Sequence, residues 1–196
     1  MSEYEIIQGC KKNKAKYQEL LYKRYCSAMY GVCLRYSNDK AEAADCMQEG
    51  FIRVFNNINS FKGEGSLEGW IRKIMVNTAL NNYKANQKSS YHCDLEDAKN
   101  IASDYSSAFD NISVQELLTV IQELSEGYRL VFNLYAIEGY SHKEIAEMLE
   151  ISESTSKSQL SRARALLQKK LTSIYNYHCK ELSKPVINKI DEENLF

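Results

Sequence analysis

Between residues 157 and 170 the charged side chains are Lys157, Arg162, Arg164, Lys169 and Lys170, with no acid among them. Together with Thr155, Ser158 and Ser161 they form a set of cations and hydroxyls that can neutralise phosphate and bond base edges. Lys157, Ser158, Ser161 and Arg162 are spaced to share the polar side of a helix, opposite Leu160 and Leu167. A second set, Lys73, Asn77, Asn81 and Lys84, also repeats at helical spacing, with Arg72 and Lys88 beside it and no acid between Glu68 and Lys88. Amides and cations on one helical face again suit nucleic acid. A third set is acidic: Glu42, Asp45, Gln48 and Glu49 lie along one face with the aliphatic Ile52, and Arg53 follows. Such a face is either solvated or docks on a basic protein partner. No His converges on these carboxylates and their spacing strings them along a helix, so an acidic catalytic centre is a poor reading of them.

Metal and redox chemistry find little purchase. The six cysteines, Cys10, Cys26, Cys33, Cys46, Cys93 and Cys179, include no Cys-x-x-Cys pair. His92-Cys93 and His178-Cys179 are adjacent pairs without a second pair at zinc-site distance. The cysteines read as small apolar fillers or surface residues, and neither a metal nor a cofactor is expected.

The elements that must position these sets are helices. Ser141 is an N-cap with Glu144 three residues on, a capping box that starts a short helix whose Ile145, Met148 and Leu149 share one face. Ser152, Ser154 and Thr155 then offer caps for a second helix, in which Leu160, Ala163, Leu167 and Leu171 keep helical spacing. The first of these helices carries Glu144, Glu147 and Glu150, whereas the second is basic. Two short helices around a tight corner, the second one basic, make a helix-turn-helix pattern and point at DNA.

Earlier in the chain, Ser37, Asn38 and Asp39 are candidate caps for a helix whose stripe is Met47, Phe51, Val54, Phe55 and Ile58. A polar loop, Asn56 to Gly65, is predicted next, followed by Ser66 as the cap of a helix with Leu67, Ile71, Ile74 and Thr78 on its inner side. Phe61 and Trp70 read as core residues, with a secondary possibility of helping to form a pocket for an unstacked base.

The chain has 196 residues and a net charge of −1, which conceals local differences. Lys11, Lys12, Lys14, Lys16, Lys23 and Arg24 face only Glu19, whereas from Tyr91 to Glu126 eight acids face Lys99 alone. One proline, Pro185, and eight glycines leave long helices uninterrupted, so the fold class is all-α. Two small helical domains are expected, over 1–88 and 113–175, joined by a serine-rich acidic flexible linker over 89–112, with a short helix ending or loose tail over 176–196. The N-terminus lacks the pattern of a secretory signal and no apolar run is long enough to span a bilayer, so a cytoplasmic protein without membrane insertion is expected.

Taken in order, an Asp45-x-x-Gln48-Glu49 helix, a Ser60-Phe61-Lys62-Gly63 loop, a Trp70-Ile71-x-x-Ile74-x-x-Asn77 helix, an acidic linker and a C-terminal helix-turn-helix resemble the sigma-70-like RNA polymerase sigma factors of the small extracytoplasmic-function type. The match spans about residues 12 to 172. The resemblance implies a bacterial transcription initiation factor, not an enzyme, that binds the polymerase core and directs it to promoters. It implies that Glu42, Asp45, Gln48, Glu49 and Arg53 meet a coiled-coil of the large catalytic subunit, and that the flap of the other large subunit is a further contact. It implies that Asn57, Ser60, Phe61 and Asn77 surround a flipped base of the minus-ten element, with Arg72, Lys73, Asn81 and Lys84 on the adjoining strand. For the minus-thirty-five element it implies Thr155, Lys157, Ser158, Ser161, Arg162 and Arg164, and it further suggests an anti-sigma partner. The chain departs from the family's usual pattern at several positions. Glu150 replaces the corner glycine, where a left-handed backbone costs about 1 kcal/mol more than for Gly. Ser156 stands for an aliphatic, Gln159 for a frequent Arg, Ser125 for a proline after Leu124 and Asn81 for an Asp. A dimeric helix-turn-helix repressor is the rival reading.

Overall fold

A computed structural model of the chain describes residues 1–89 and 113–182, and every regular element among them is helical. The first half contains α1 (Glu3–Lys11), α2 (Ala15–Leu34), α3 (Lys40–Asn57), a 3-10 turn (Ile58–Ser60) and α4 (Leu67–Ser89). The second contains α5 (Val114–Gln122), α6 (Glu126–Phe132) running into a π-helical turn (Asn133–Ile137), α7 (His142–Leu149) and α8 (Glu153–Leu182). Ser89, expected to open the linker, closes α4, and α8 continues through 182; the remainder of the linker and tail expectations falls outside the described residues.

Local chemistry accounts for the helix starts. Ser2 and Ser113 form capping boxes with Glu5 and Glu116, and Asp39 accepts from the Glu42 backbone N–H at 2.8 Å. The expected loop after α3 begins later than predicted, because Asn56 and Asn57 complete the helix and residues 58–60 add a further tight turn. Ile58 drives that extension: it is 2% exposed and anchors the turn in the core.

α2, α3 and α4 pack with α1 around Leu21, Met29, Val54, Ile71 and Met75, all of which are buried. Gly50 sets the spacing of α3 and α4, since a Cβ there would lie 2.2 Å from Met75 Sδ. A separate apolar cluster, Val120, Ile121, Leu124, Ala163 and Leu167, joins α5 to α8. The larger cluster does not stop at the end of the first half: Leu130, Val131, Leu134, Ile145, Leu149 and Leu160 belong to it too. Each aliphatic side chain so buried contributes about 1.5–3 kcal/mol, so the two halves lie against one another through a real apolar contact. No helix among the described residues is long and apolar enough to cross a membrane.

Candidate nucleic-acid interface

The outward face of α3 carries the acidic set. Asp45, Gln48 and Ile52 are exposed, Ile52 to 60%, while Glu42 and Glu49 are half-buried. Glu49 is braced: Arg53 donates to it at 2.6 Å, and this bond, with a further one from Asn82, holds its carboxyl below the usual range. The face is therefore negative at neutral pH and surrounds one bare aliphatic.

At the end of α3 the candidate base-pocket residues form a small knot. Asn57 Nδ2 donates to the Arg53 carbonyl at 2.8 Å, and Ser60 Oγ donates to the Asn57 carbonyl at 2.8 Å. These bonds leave the Asn57 amide oxygen and the Ser60 lone pairs as acceptors for an incoming group. Phe61 is 5% exposed and packs on Trp70 with ring centroids 5.5 Å apart, while its carbonyl accepts from Lys11 Nζ at 2.8 Å. The ring is thus part of the core and offers the loop its shape, not a stacking face.

Along α4, Lys73, Asn77 and Asn81 are exposed on the side away from Ile71, Met75 and Thr78. Two further cations of the set, Arg72 and Lys84, are engaged by the second half of the chain. Arg72 Nε and Nη2 each donate at 2.8 Å to the Glu138 carboxylate, and Lys84 Nζ lies 2.7 Å from Glu150. Arg35 Nη2 approaches the same Glu138 at 3.6 Å. Burial and the neighbouring Arg72 draw the Arg35 guanidinium below its ordinary range, whereas the bond to Glu138 holds Arg72 above it.

The helix-turn-helix forms as its caps require. Ser141 and Glu144 make the capping box, and Thr155 N–H donates to Ser152 Oγ at 3.0 Å. Glu150 adopts φ 59°, ψ 39°, so the corner keeps the left-handed residue that Gly would take. Ser156, where an aliphatic is usual, is fully buried with its hydroxyl 2.9 Å from His142 Nδ1. His142 in turn stacks on Tyr135 at 4.6 Å, so a polar pair and a ring fill the space that an aliphatic would occupy. Gln159 packs over Gly127 instead of reaching outward. Lys157, Ser158, Ser161 and Arg162 are exposed together on α8. Thr155 is half-buried at the cap, and Arg164 lies over the Tyr135 ring at 5.5 Å, a cation–π contact that fixes its direction.

Sequence reasoning missed the seam between the halves. Gln122 donates to the Leu34 carbonyl at 2.9 Å, Asn133 to the Arg35 carbonyl at 2.6 Å, and Arg129 to Asn38 Oδ1 at 2.6 Å and to the Gln122 carbonyl at 2.9 Å. Arg129 is 1% exposed. A cation directly before Leu130 and Val131 was the available signal, because a charge inside an apolar run needs a partner elsewhere. Cys33 and Cys46 meet between α2 and α3, and the hydrogen bond with Cys46 and burial push the Cys33 thiol up, as expected of packed structural cysteines. Among the described residues no group of His, Cys, Asp and Glu could hold a metal ion.

Two family models match the chain, Sigma-70 region 2 over residues 21–89 and Sigma-70, region 4 over residues 114–167. The ECF RNA polymerase sigma-E factor of Haemophilus influenzae is 28% identical over 182 residues, covering 87% of this chain and 96% of that protein. The RNA polymerase sigma-H factor of Pseudomonas aeruginosa is 26% identical over 182 residues, covering 86% and 93%. Among solved structures, the sigma factor RpoE from Bartonella quintana, in a co-crystal with the anti-sigma factor NepR, has 21% sequence identity and a TM-score of 0.48, with 79% of this chain and 96% of that one covered.

Proposed function

The chain belongs to the sigma-70 family of RNA polymerase sigma factors, in its extracytoplasmic-function group, and on that premise we propose how its surfaces divide the work of promoter selection. It is a transcription initiation factor that binds polymerase and gives it promoter specificity. The acidic face of α3, exposed Asp45 and half-buried Glu49 with Glu42, Gln48 and Arg53, docks on the coiled-coil of the large catalytic subunit, with Ile52 as the apolar centre of the contact. The 3-10 turn and α4 hold the opened non-template strand of the minus-ten element. Asn57, Ser60 and Asn77 present acceptors and donors to a base turned out of the stack, Phe61 sets the loop, and Arg72, Lys73, Asn81 and Lys84 take backbone and neighbouring bases. Turning a base out costs a few kcal/mol, and a pocket that bonds only the preferred base returns it, so melting and recognition become one event.

The N-terminal part of α8 reads the minus-thirty-five duplex through Lys157, Ser158, Ser161 and Arg162, while Thr155 holds the helix start and Arg164 leans on Tyr135. The second domain also meets the flap of the other large subunit. The polymerase performs the chemistry, so the chain acts without a catalytic centre or cofactor of its own. An anti-sigma factor that covers the polymerase-binding surfaces is the expected regulator.

The observation that carries this reading is one of charge. The exposed face of α3 is acidic and that of α4 is amide-rich with no acid after Glu68 in its first turn, although the two helices pack directly on each other through Gly50 and Met75. One helical unit thus offers a protein-facing and a nucleic-acid-facing surface. Run-off transcription with core polymerase and a genomic promoter library tests it: specific starts that need the chain support the reading, and their absence refutes it. Co-elution with core polymerase separates it from a dimeric repressor, which would not travel with the enzyme.

A further inference from the structure

A chain of contacts runs outward from the small core of the helix-turn-helix. Ser156 is fully buried, and its hydroxyl lies 2.9 Å from Nδ1 of His142, the first residue of α7. The His142 ring stacks on Tyr135 with centroids 4.6 Å apart and planes 25° from parallel. The Arg164 guanidinium carbon in turn stands 5.5 Å from the centre of the Tyr135 ring. Ser156 is buried, His142 and Tyr135 are half-buried and Arg164 is exposed, so the row leads from the core to the surface. An aliphatic at 156 would fill the same space without imposing a direction. A hydrogen bond fixes the plane of the imidazole, and the stacked imidazole fixes the plane of the phenol.

Arg164 follows Lys157 by seven residues and Ser161 by three, so it continues their line along α8, about 10 Å from Lys157 down the axis. The two cations of this line are held in different ways. Lys157 Nζ lies 2.7 Å from Glu153, and that pair has to open before the ammonium can meet a phosphate. A ring carries no countercharge, so Tyr135 fixes the Arg164 guanidinium while leaving its full charge for an anion. An arginine already held in place also loses less rotamer freedom on binding.

We propose that Tyr135 is a positioning residue of the minus-thirty-five reader: backed by the His142–Ser156 pair, it presets Arg164 for a backbone phosphate of the duplex. This deepens, and rests on, the reading that the N-terminal part of α8 meets that duplex. A phosphate contact carries no sequence information, so Arg164 fixes the register of the helix and leaves the base edges to the side chains before it.

The test uses holoenzyme assembled from the full chain and core polymerase, with a duplex promoter taken from the run-off library. Tyr135→Leu should weaken binding about threefold, the loss expected of an exposed cation–π contact, and Tyr135→Phe, which keeps a ring, should recover most of it. Arg164→Ala should lower the slope of log affinity against log salt by about one, and in that background Tyr135→Leu should cost nothing more. Equal losses from Tyr135→Leu with and without Arg164 would show that the ring serves the fold alone and would overturn the proposal. A salt slope in Arg164→Ala equal to the parent's would overturn it too. Ser156→Ala, which removes the bond to His142, should give a smaller loss with the same dependence on Arg164; full affinity there would overturn the backing assigned to the polar pair. That variant also carries the test if thermal melts by circular dichroism show Tyr135→Leu to be unstable. Failure of the underlying reading has its own signature: Lys157→Ala with Arg162→Ala would then leave duplex binding and its salt slope unchanged.

Discussion

Reversing the acidic face of α3 separates what holds the chain together from what it docks on. Asp45 is exposed and Glu49 is braced by Arg53, in the favourable order with the acid one turn before the base. In the Asp45→Lys, Glu49→Lys variant the lost pair and the new Lys–Arg repulsion each cost about 0.3–0.5 kcal/mol, because the pair is roughly 40% exposed on both sides. A total near 1 kcal/mol lowers the melting midpoint of a chain this size by roughly 2–4 °C. Against a basic partner the same two reversals replace attraction by repulsion at a docked surface, about 2 kcal/mol each. Together that is about 4 kcal/mol, close to a thousandfold in Kd. Asp45→Lys alone is the cleaner arm, since a surface change away from buried features stays within about 0.5 kcal/mol in stability while still losing some thirtyfold in affinity. Anisotropy titration of labelled chain with core polymerase, paired with thermal melts, measures both. A double variant that melts normally and binds core within threefold of the parent would refute the use assigned to α3. A drop in midpoint beyond about 10 °C would show that the acids hold the fold instead.

Three further outcomes are expected. Lys157→Ala with Arg162→Ala should weaken binding to minus-thirty-five duplex and flatten the plot of log affinity against log salt by about two units, one per phosphate contact; an unchanged slope would remove both from the interface. Tyr36→Phe should leave stability unchanged or raise it by up to about 1 kcal/mol, because its hydroxyl is buried without a partner beside Glu138 and burial pushes its ionisation far up; a clear loss in a denaturant titration would reveal a bond to that hydroxyl. Burial holds the Glu126 carboxyl above the usual range, Arg129 opposing and Glu42 reinforcing the shift. A carboxyl raised on folding penalises the fold once pH exceeds the unfolded value, with the penalty complete above the folded value. Glu126→Gln should therefore raise the midpoint by roughly 1–3 °C at pH 7 and by nothing at pH 3, and equal shifts at both would exclude titration as the cause.

What the sequence disclosed was local. The capping box at Ser141 and Glu144, the stripe from Met47 to Ile58 and the inner row of α4 are set by neighbours three or four positions away, and each formed where its spacing required. The left-handed corner at Glu150 was not readable, because the residue type there argued against that backbone, and the corner keeps it all the same. The seam was not readable. Arg72 and Glu138 are separated by 66 positions, Arg35 and Asn133 by 98, and no periodicity reports a partner at such a distance. For that reason Arg72 and Lys84 read as strand contacts pure and simple, although both hold acids of the other domain. Phe61 read as a core residue from its type, and it packs on Trp70 at 5.5 Å; that the partner is Trp70, nine positions on across a loop, no spacing rule reports.

The π-helical turn at Asn133–Ile137 ties two distant tasks to one backbone irregularity. Asn133, at its start, grips the end of α2, and Tyr135, two residues on, is wedged against His142 and Arg164 at the root of the DNA reader. Each residue advances a helix by about 100°, so deleting one residue here would swing both side chains off their marks together. The length of this stretch is thus set from both ends, by the bond to Arg35 on one side and the ring contacts of Tyr135 on the other.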